Sequence, residues 1–236
     1  MHISLNDNFY KLHFGSKNFQ QKNVLNPDEL KLLDEYKKQY DYSRTKPIQW
    51  KTKRVLDVGL SSLGVIVSAP IMLLSAIAIK LDSKGPVLFK QKRVGQNGDI
   101  FTVLKFRTMI NNPDINQNVQ NADDKRITRV GKILRKYSID EFPQFFNIIK
   151  GDMSLTGPRP LNVDNHEYRN LNKNFVIRYV FKPGASLDTK VTKLFVDNNP
   201  EFCNNIEQDY IQNWNLKKDF NICLKTIKKI LLGDNY

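Results

Sequence analysis

Residues 58–79 read VGLSSLGVIVSAPIMLLSAIAI, 22 residues without a charge between Asp57 and Lys80. As an α-helix this stretch would be about 33 Å long, enough to cross the hydrocarbon core of a bilayer. Pro70 lies inside it and divides it into pieces of about 18 Å and 14 Å, each roughly half a bilayer. Lys51, Lys53 and Arg54 precede the stretch, and Lys80, Lys84, Lys90, Lys92 and Arg93 follow it. The positive-inside tendency keeps both flanks in the cytoplasm. The expectation is therefore a membrane-inserted, re-entrant helix hairpin over residues 55–81. The competing reading is a buried helix of a soluble core, which would call for more amphipathic period than the stretch shows.

The chain has 236 residues and a formal net charge of +13. That length suits one sizeable domain with an appendage. The charge favours an anionic partner, whether nucleic acid, an anionic membrane surface or a phosphorylated substrate. No nucleic-acid-binding module appears, and a membrane segment already accounts for a basic surface, so no nucleic acid is expected. Two cysteines, Cys203 and Cys223, make neither a disulfide framework nor a metal-ligand spacing. Residues 1–25 contain no apolar run of signal-peptide kind.

Two divisions are expected: a polar N-terminal appendage over 1–50 and a main domain over 51–236 that includes the membrane segment. Within the appendage, Asn26 as cap and Pro27 at the first helical position open a helix with Leu30, Leu33, Tyr36 and Tyr40 along it. After Gly85-Pro86, VLFKQKRVGQNGDIFTVLKF predicts two strands joined near Asn97-Gly98, a type I′ hairpin signal. Arg93 and Arg107 lie on or beside these strands, as solvated edge charges or as phosphate binders. Residues 111–124 are polar and without period, which predicts a mobile loop. Short helices are expected over 127–136 and 142–150, a turn-rich loop over 154–160, and an amphipathic, interfacial helical segment from Ile206 to Leu232. The fold class is α+β: a membrane hairpin with a small, mostly helical domain containing a β-hairpin.

The chemistry concentrates in SIDEFPQFFNIIKGDMSLTGPRP, residues 138–160. Ser138 and Glu141 fit a capping box, but Pro143 then falls inside the helix, and a later start at Asp140 removes the conflict. Either register puts Asp140 and Glu141 at the positive end of a helix, which favours ionised carboxylates. An ionised carboxylate can act as a nucleophile or as a Mg²⁺ ligand. Arg159, between Pro158 and Pro160, offers a planar fork that matches phosphate on a restricted backbone. Routine helix capping and an ordinary surface turn explain the same residues without chemistry. Phe142, Phe145, Phe146 and Ile149 follow i, i+3, i+4, i+7 and predict a core face. His2, His13 and His166 form no nucleophile-base set, and no phosphate-cradling glycine pattern appears.

Taken together, KRVLD, the Pro-broken apolar segment, KGPVLFKQKRVGQNGDIFTVLKFRTM, LRKYSIDEFPQFFNIIKGDMSLTGPRP and DYIQNWNLKKDF resemble the bacterial sugar transferases, the monotopic polyprenyl-phosphate phosphoglycosyl transferases. The resemblance covers about residues 51–232. It implies transfer of a sugar 1-phosphate from a UDP-sugar to polyprenyl (undecaprenyl) phosphate with Mg²⁺ and release of UMP. The setting it implies is the cytoplasmic face of the bacterial inner membrane, at the start of surface glycan assembly. By the same resemblance Asp140 is the nucleophile, Glu141 completes the dyad in metal binding or proton handling, Arg159 holds a substrate phosphate with Arg93 and Arg107 as further candidates, and Ser68 and Pro70 mark the membrane break. Membrane lipids are further partners, and a homo-oligomer is left open. Two departures stand out. The family's usual Ser-Pro pair is Ala69-Pro70 here, with Ser68 one place earlier. Beyond Lys182-Pro183-Gly184, the segment ASLDTKVTK (185–193) does not follow the family pattern. A membrane-bound binding or scaffold protein on the same fold is the alternative that this second departure raises.

Overall fold

The computed structural model describes residues 24–110, 124, 126–163, 173–187 and 199–232. Residues 111–123 of the loop expected at 111–124, the three histidines and residues 188–193 of the atypical segment 185–193 lie outside them.

Chain order runs α1 (Pro27–Gln39), α2 (Tyr42–Thr45), α3 (Pro47–Asp82), β1 (Leu88–Val94), β2 (Ile100–Phe106), α4 (Arg129–Lys136), α5 (Gln144–Lys150), β3 (Ser154–Thr156), β4 (Leu161–Asn162), β5 (Gly184–Ser186), α6 (Pro200–Gln212) and α7 (Leu216–Leu232). Short 3₁₀ turns occupy Gln96–Gly98, Ile139–Glu141 and Lys173–Val180. The strands form an antiparallel sheet of order β2-β1-β4 and a parallel pair, β3-β5. Helix and sheet are mixed, as an α+β chain requires.

α3 has 36 residues, about 54 Å. Its most apolar window is only 17% buried, and it alone among the described helices is long and apolar enough to cross a membrane. The expected pair of half-length helices is not seen. Helix runs through Pro70 without interruption, so the proline removes one hydrogen bond but does not end the element. Just before it, the Ser68 hydroxyl donates to the Gly64 carbonyl at 2.6 Å.

The burial pattern of α3 is inverted. Lys53, Asp57, Ser61, Ser68, Ser75 and Ile79 are its buried residues, and their spacings of 4 and 7 place them on one face. Gly64 joins that face, where a Cβ would press on the Phe145 ring. Leu63, Ile66, Val67, Leu73 and Leu74 point outward, with Ile66 71% and Leu74 66% exposed. A soluble core helix buries its large apolar side chains and shows its small polar ones to water, so this helix is not of that kind.

α1 starts where the sequence indicates. Asn26 and Glu29 form a reciprocal capping box with Pro27 at the first turn. Leu33 is fully buried, and α1 packs on the 173–180 turn within one core that also holds Tyr42, Phe181, Tyr210, Ile211 and Trp214. Tyr42 donates its hydroxyl to the carbonyls of Ile211 and Gln212 at the end of α6. Residues 24–50, marked by composition as an appendage, thus share the core of the domain that follows.

The β1–β2 hairpin forms in the expected place, with Asn97 (φ 62°) and Gly98 (φ 79°) both left-handed. Its loop spans five residues, 95–99, because Val94 pairs with Ile100. The core face expected on the 142–150 helix is shifted. α5 begins only at Gln144 and buries Gln144, Asn147 and Ile148, while Phe146 is exposed and Phe145 turns toward α3. Asn147 decides this: its Oδ1 accepts from Leu104 N at 3.0 Å and its Nδ2 donates to Thr102 O at 2.7 Å, which draws that side of α5 onto β2.

Candidate active site

The acidic pair sits in a one-turn 3₁₀ segment, Ile139–Glu141, rather than at the start of an α-helix. Pro143 has no N–H to give, so α5 waits for Gln144. Ser138 makes no side-chain cap and instead adopts a left-handed backbone, φ 50° and ψ 24°. That conformation is uncommon for a residue with a Cβ, and it turns the chain sharply out of α4 immediately before the acids. Asp140 is buried at 7% exposure. Glu141 is partly exposed and accepts from Lys105 Nζ on β2 at 2.8 Å. The acidic turn is therefore braced against the sheet by a charge that nothing in the sequence pattern had marked.

Arg159 lies in the loop between β3 and β4, whose backbone is pinned on both sides. Its amide donates to Glu207 Oε1 at 2.8 Å. Arg93 donates from Nη1 to Pro160 O at 2.8 Å and bonds Gln91 through Nε and Nη2, so the Arg93 strand and the Arg159 loop come together. On the other side, Ser154 N bonds Pro183 O and Gly184 N bonds Pro158 O, both at 2.9 Å. A Cβ on Gly184 would overlap the Gly157 backbone, which gives the retained Lys182-Pro183-Gly184 a structural task. Arg107 goes elsewhere: Nη2 donates to Ser83 O at 2.7 Å and Ser83 Oγ at 3.0 Å, and it reaches Ile79 O at 3.4 Å, closing the C-terminal end of α3.

Both ends of α3 are tied to this same body. At the N-terminal end Lys53 Nζ reaches Asp219 Oδ2 at 2.9 Å and Thr156 Oγ1 at 2.8 Å. Asp219 also accepts from Tyr210 Oη at 2.7 Å and Trp214 Nε1 at 3.0 Å. Burial, then the Asp219 charge, push the Tyr210 hydroxyl well above its ordinary pKa, so it stays a donor. Asp57 Oδ1 accepts from Leu155 N at 3.0 Å, and Arg54 caps the last carbonyls of α5, Ile148 O and Ile149 O, at 2.8 and 3.0 Å. Lys182, half-buried beside Arg54, has its pKa lowered by burial first and by that like charge second, with Asp57 and Asp152 opposing. At the far end Asp82 accepts from Val130 N at the start of α4, and Ile79 packs with Phe106 and Leu134.

The sequence model of the bacterial sugar transferases matches residues 48–233. The chain belongs to that family. Among curated relatives, a UDP-glucose:undecaprenyl-phosphate glucose-1-phosphate transferase of Caulobacter vibrioides is 43% identical over 193 residues, 78% of this chain and 71% of that protein. A UDP-N-acetylgalactosamine-undecaprenyl-phosphate N-acetylgalactosaminephosphotransferase of Aeromonas hydrophila is 40% identical over 79% of this sugar transferase and 45% of its own length. A protein of Streptococcus agalactiae named galactosyl transferase CpsE is 35% identical over 99% of this chain, covering 52% of its own. The chain thus spans only about half the length of several relatives.

The sequence singles out Asp140, Glu141, Arg159, Arg93 and Arg107 for chemistry and Ser68 and Pro70 for the membrane break, and of these Arg107 is bound to the end of α3. Lys105 and the buried set around Asp219 and Glu207 were not singled out, although Asp219 stands in the quoted DYIQNWNLKKDF.

Proposed function

We propose that this sugar transferase moves a sugar 1-phosphate from a UDP-sugar to polyprenyl (undecaprenyl) phosphate at the cytoplasmic face of the bacterial membrane, the opening step of a surface glycan. The observation that carries the reading is the Asp140–Glu141 turn held on a body bonded to both ends of a helix whose large apolar residues face outward. Such a body meets a lipid-borne phosphate and a water-soluble nucleotide sugar at one interface. Kinship with relatives named for this transfer points the same way.

In the first step a carboxylate oxygen of Asp140 attacks the sugar-bearing phosphorus. The bond from that phosphorus to the bridging oxygen breaks, and its electron pair leaves with UMP. In the second, an oxygen of polyprenyl phosphate attacks the same phosphorus, the acyl-phosphate bond breaks, and Asp140 is regenerated. Covalent catalysis divides one difficult displacement into two. Lys105 holds Glu141 against β2, Arg159 would take substrate phosphate with the fork geometry arginine offers, and Arg93, its own donors taken by Gln91 and Pro160, steadies the Arg159 loop.

Among the described residues no group of three or more His, Cys, Asp and Glu gathers as a metal cage. Mg²⁺ is commonly held by one or two carboxylates with substrate phosphates and water completing its shell, and adjacent Asp140 and Glu141 fit that donor set. When bound there it would neutralise diphosphate charge.

Contact of the body with both ends of α3 supports entry and exit of that helix on one membrane face, since a spanning helix would draw the charged surface of the body into hydrocarbon. On α7, Phe220, Leu224, Ile227 and Leu231 are exposed at helical spacing, which suits an interfacial helix. Cysteines placed at Lys51 and Lys84 are expected to resist an impermeant thiol reagent in intact cells and to react after permeabilisation; reaction of only one of them from outside would refute the one-sided arrangement. The covalent step is tested by intact-protein mass. With a UDP-sugar and no lipid acceptor, the protein gains the mass of one sugar phosphate and Asp140→Asn gains none; a persistent absence of adduct together with full turnover would argue for direct transfer.

A further inference from the structure

The loop that carries Arg159 is held through its backbone at each residue. Gly157 N donates to Ser186 O at 3.0 Å, Pro158 O accepts from Gly184 N at 2.9 Å, Arg159 N donates to Glu207 Oε1 at 2.8 Å and Pro160 O accepts from Arg93 Nη1 at 2.8 Å. Three of these anchors come from neighbouring strands. The fourth, on the arginine itself, comes from a buried carboxylate on α6. Glu207 is 0% exposed, and its other oxygen pairs with Arg178, 2% exposed, on the 173–180 turn.

A buried ion pair is a poor way to gain stability, because removing both charges from water costs about as much as their attraction returns, and apolar residues of similar volume often serve as well. Stability alone therefore gives little reason for Glu207 at this place. Its geometry gives another. Arg178 fixes one oxygen, which leaves the other aimed at the Arg159 amide, with Cys203 Sγ as a weak further donor at 3.5 Å. Val94, Pro158, Arg159, Tyr179 and Phe181 line a half-open pocket of only about 10 Å³, room for one water at most. With Gly157, Pro158 and Pro160 each anchored to a neighbouring strand, the Glu207 bond is the one that sets the direction in which the Arg159 amide faces.

We propose that Glu207, oriented by Arg178, is a positioning residue of the transferase site: it fixes the Arg159 amide and so the presentation of the Arg159 guanidinium to substrate phosphate. The proposal rests on the reading of Arg159 as a phosphate holder. Glu207 itself touches no substrate.

The test is initial-rate UMP release against UDP-sugar concentration for the full chain, in Arg159→Ala, Glu207→Gln, Glu207→Asp, and the paired apolar replacement Arg178→Met with Glu207→Met, with thermal unfolding measured on each. The paired replacement removes the amide's acceptor without leaving a charge buried alone, so it reports on position in a folded protein even where Glu207→Gln does not fold. KM for the UDP-sugar is expected to rise about tenfold in the paired variant, the loss of one hydrogen bond to a charged group, with kcat changed less than about twofold. Glu207→Asp, which keeps the charge, recovers part of the loss. With Arg159→Ala already present, the paired replacement adds nothing further to KM. A folded paired variant with wild-type KM while Arg159→Ala raises KM overturns the positioning role alone. Wild-type KM in Arg159→Ala overturns the phosphate-holding role of Arg159 and this proposal with it.

Discussion

Asp140→Asn is expected to lower UMP release by more than about a thousandfold, the order seen when a catalytic nucleophile is removed, while leaving the protein in the membrane fraction. The asparagine is nearly isosteric, so the 3₁₀ turn, the left-handed Ser138 and the Lys105–Glu141 pair have no reason to move. Membrane attachment depends on α3 and its ties at Lys53, Asp57, Asp82 and Arg107, none of which involves Asp140. The two readouts therefore separate. Turnover within tenfold of wild type would remove Asp140 as nucleophile. Loss of activity together with loss from the membrane fraction would show instead that the substitution damages the fold.

Asp219→Ala carries the largest expected effect on stability. One carboxylate serves the Lys53 ammonium, the Tyr210 hydroxyl and the Trp214 indole N–H, all buried. Deleting it leaves a buried cation and two buried donors without their acceptor, and removing one partner of a buried ion pair costs about 3–5 kcal/mol. For a chain of this size that corresponds to a fall in melting temperature on the order of 10 °C. Because Lys53 belongs to α3, the same change loosens the end of the helix where it meets β3 and α7. Replacing Lys53 by Met and Asp219 by Leu together is expected to restore most of the loss, since no charge is then stranded. A melting temperature within about 2 °C of wild type in the single variant would show that water reaches Lys53 and that the site is not dry.

The sequence revealed the apolar segment, the acidic pair and the Pro-flanked arginine because each is a local signal. Absence of charge over 22 residues, two adjacent acids and an arginine between prolines can be read without knowing what lies across from them. The hairpin and the α1 cap were legible for the same reason, since Asn97-Gly98 and Asn26-Pro27 act within a few residues. What could not be read depends on contacts far apart in the chain. Lys105 meets Glu141 across 36 residues, Lys53 meets Asp219 across 166, and Arg159 meets Glu207 across 48. Each of these charges, seen alone, passes for a solvated one.

Two local readings were overturned by particular groups. The aromatic period of residues 142–149 pointed to a core face, but the two bonds of Asn147 to β2 outweigh it and turn the helix. Pro70 suggested two separate helices, yet one missing hydrogen bond among many does not end a 36-residue element tied at both ends, so re-entry would require a bend within one helix rather than a gap between two. The inverted face of α3 was present in the sequence as the spacing of Lys53, Asp57, Ser61, Ser68 and Ser75. A search for apolar periodicity passes over a stripe of small and polar residues, so that signal was visible only once the partner surface was known.

The most direct test of the central claim is UMP release by the full chain in detergent, with Mg²⁺, undecaprenyl phosphate and a panel of UDP-sugars. Sustained release that requires one UDP-sugar and the lipid phosphate, and that disappears in Asp140→Asn, is the predicted result. Folded protein that binds a UDP-sugar or the lipid yet releases no UMP with any member of the panel would contradict the account and leave a binding protein on a transferase fold.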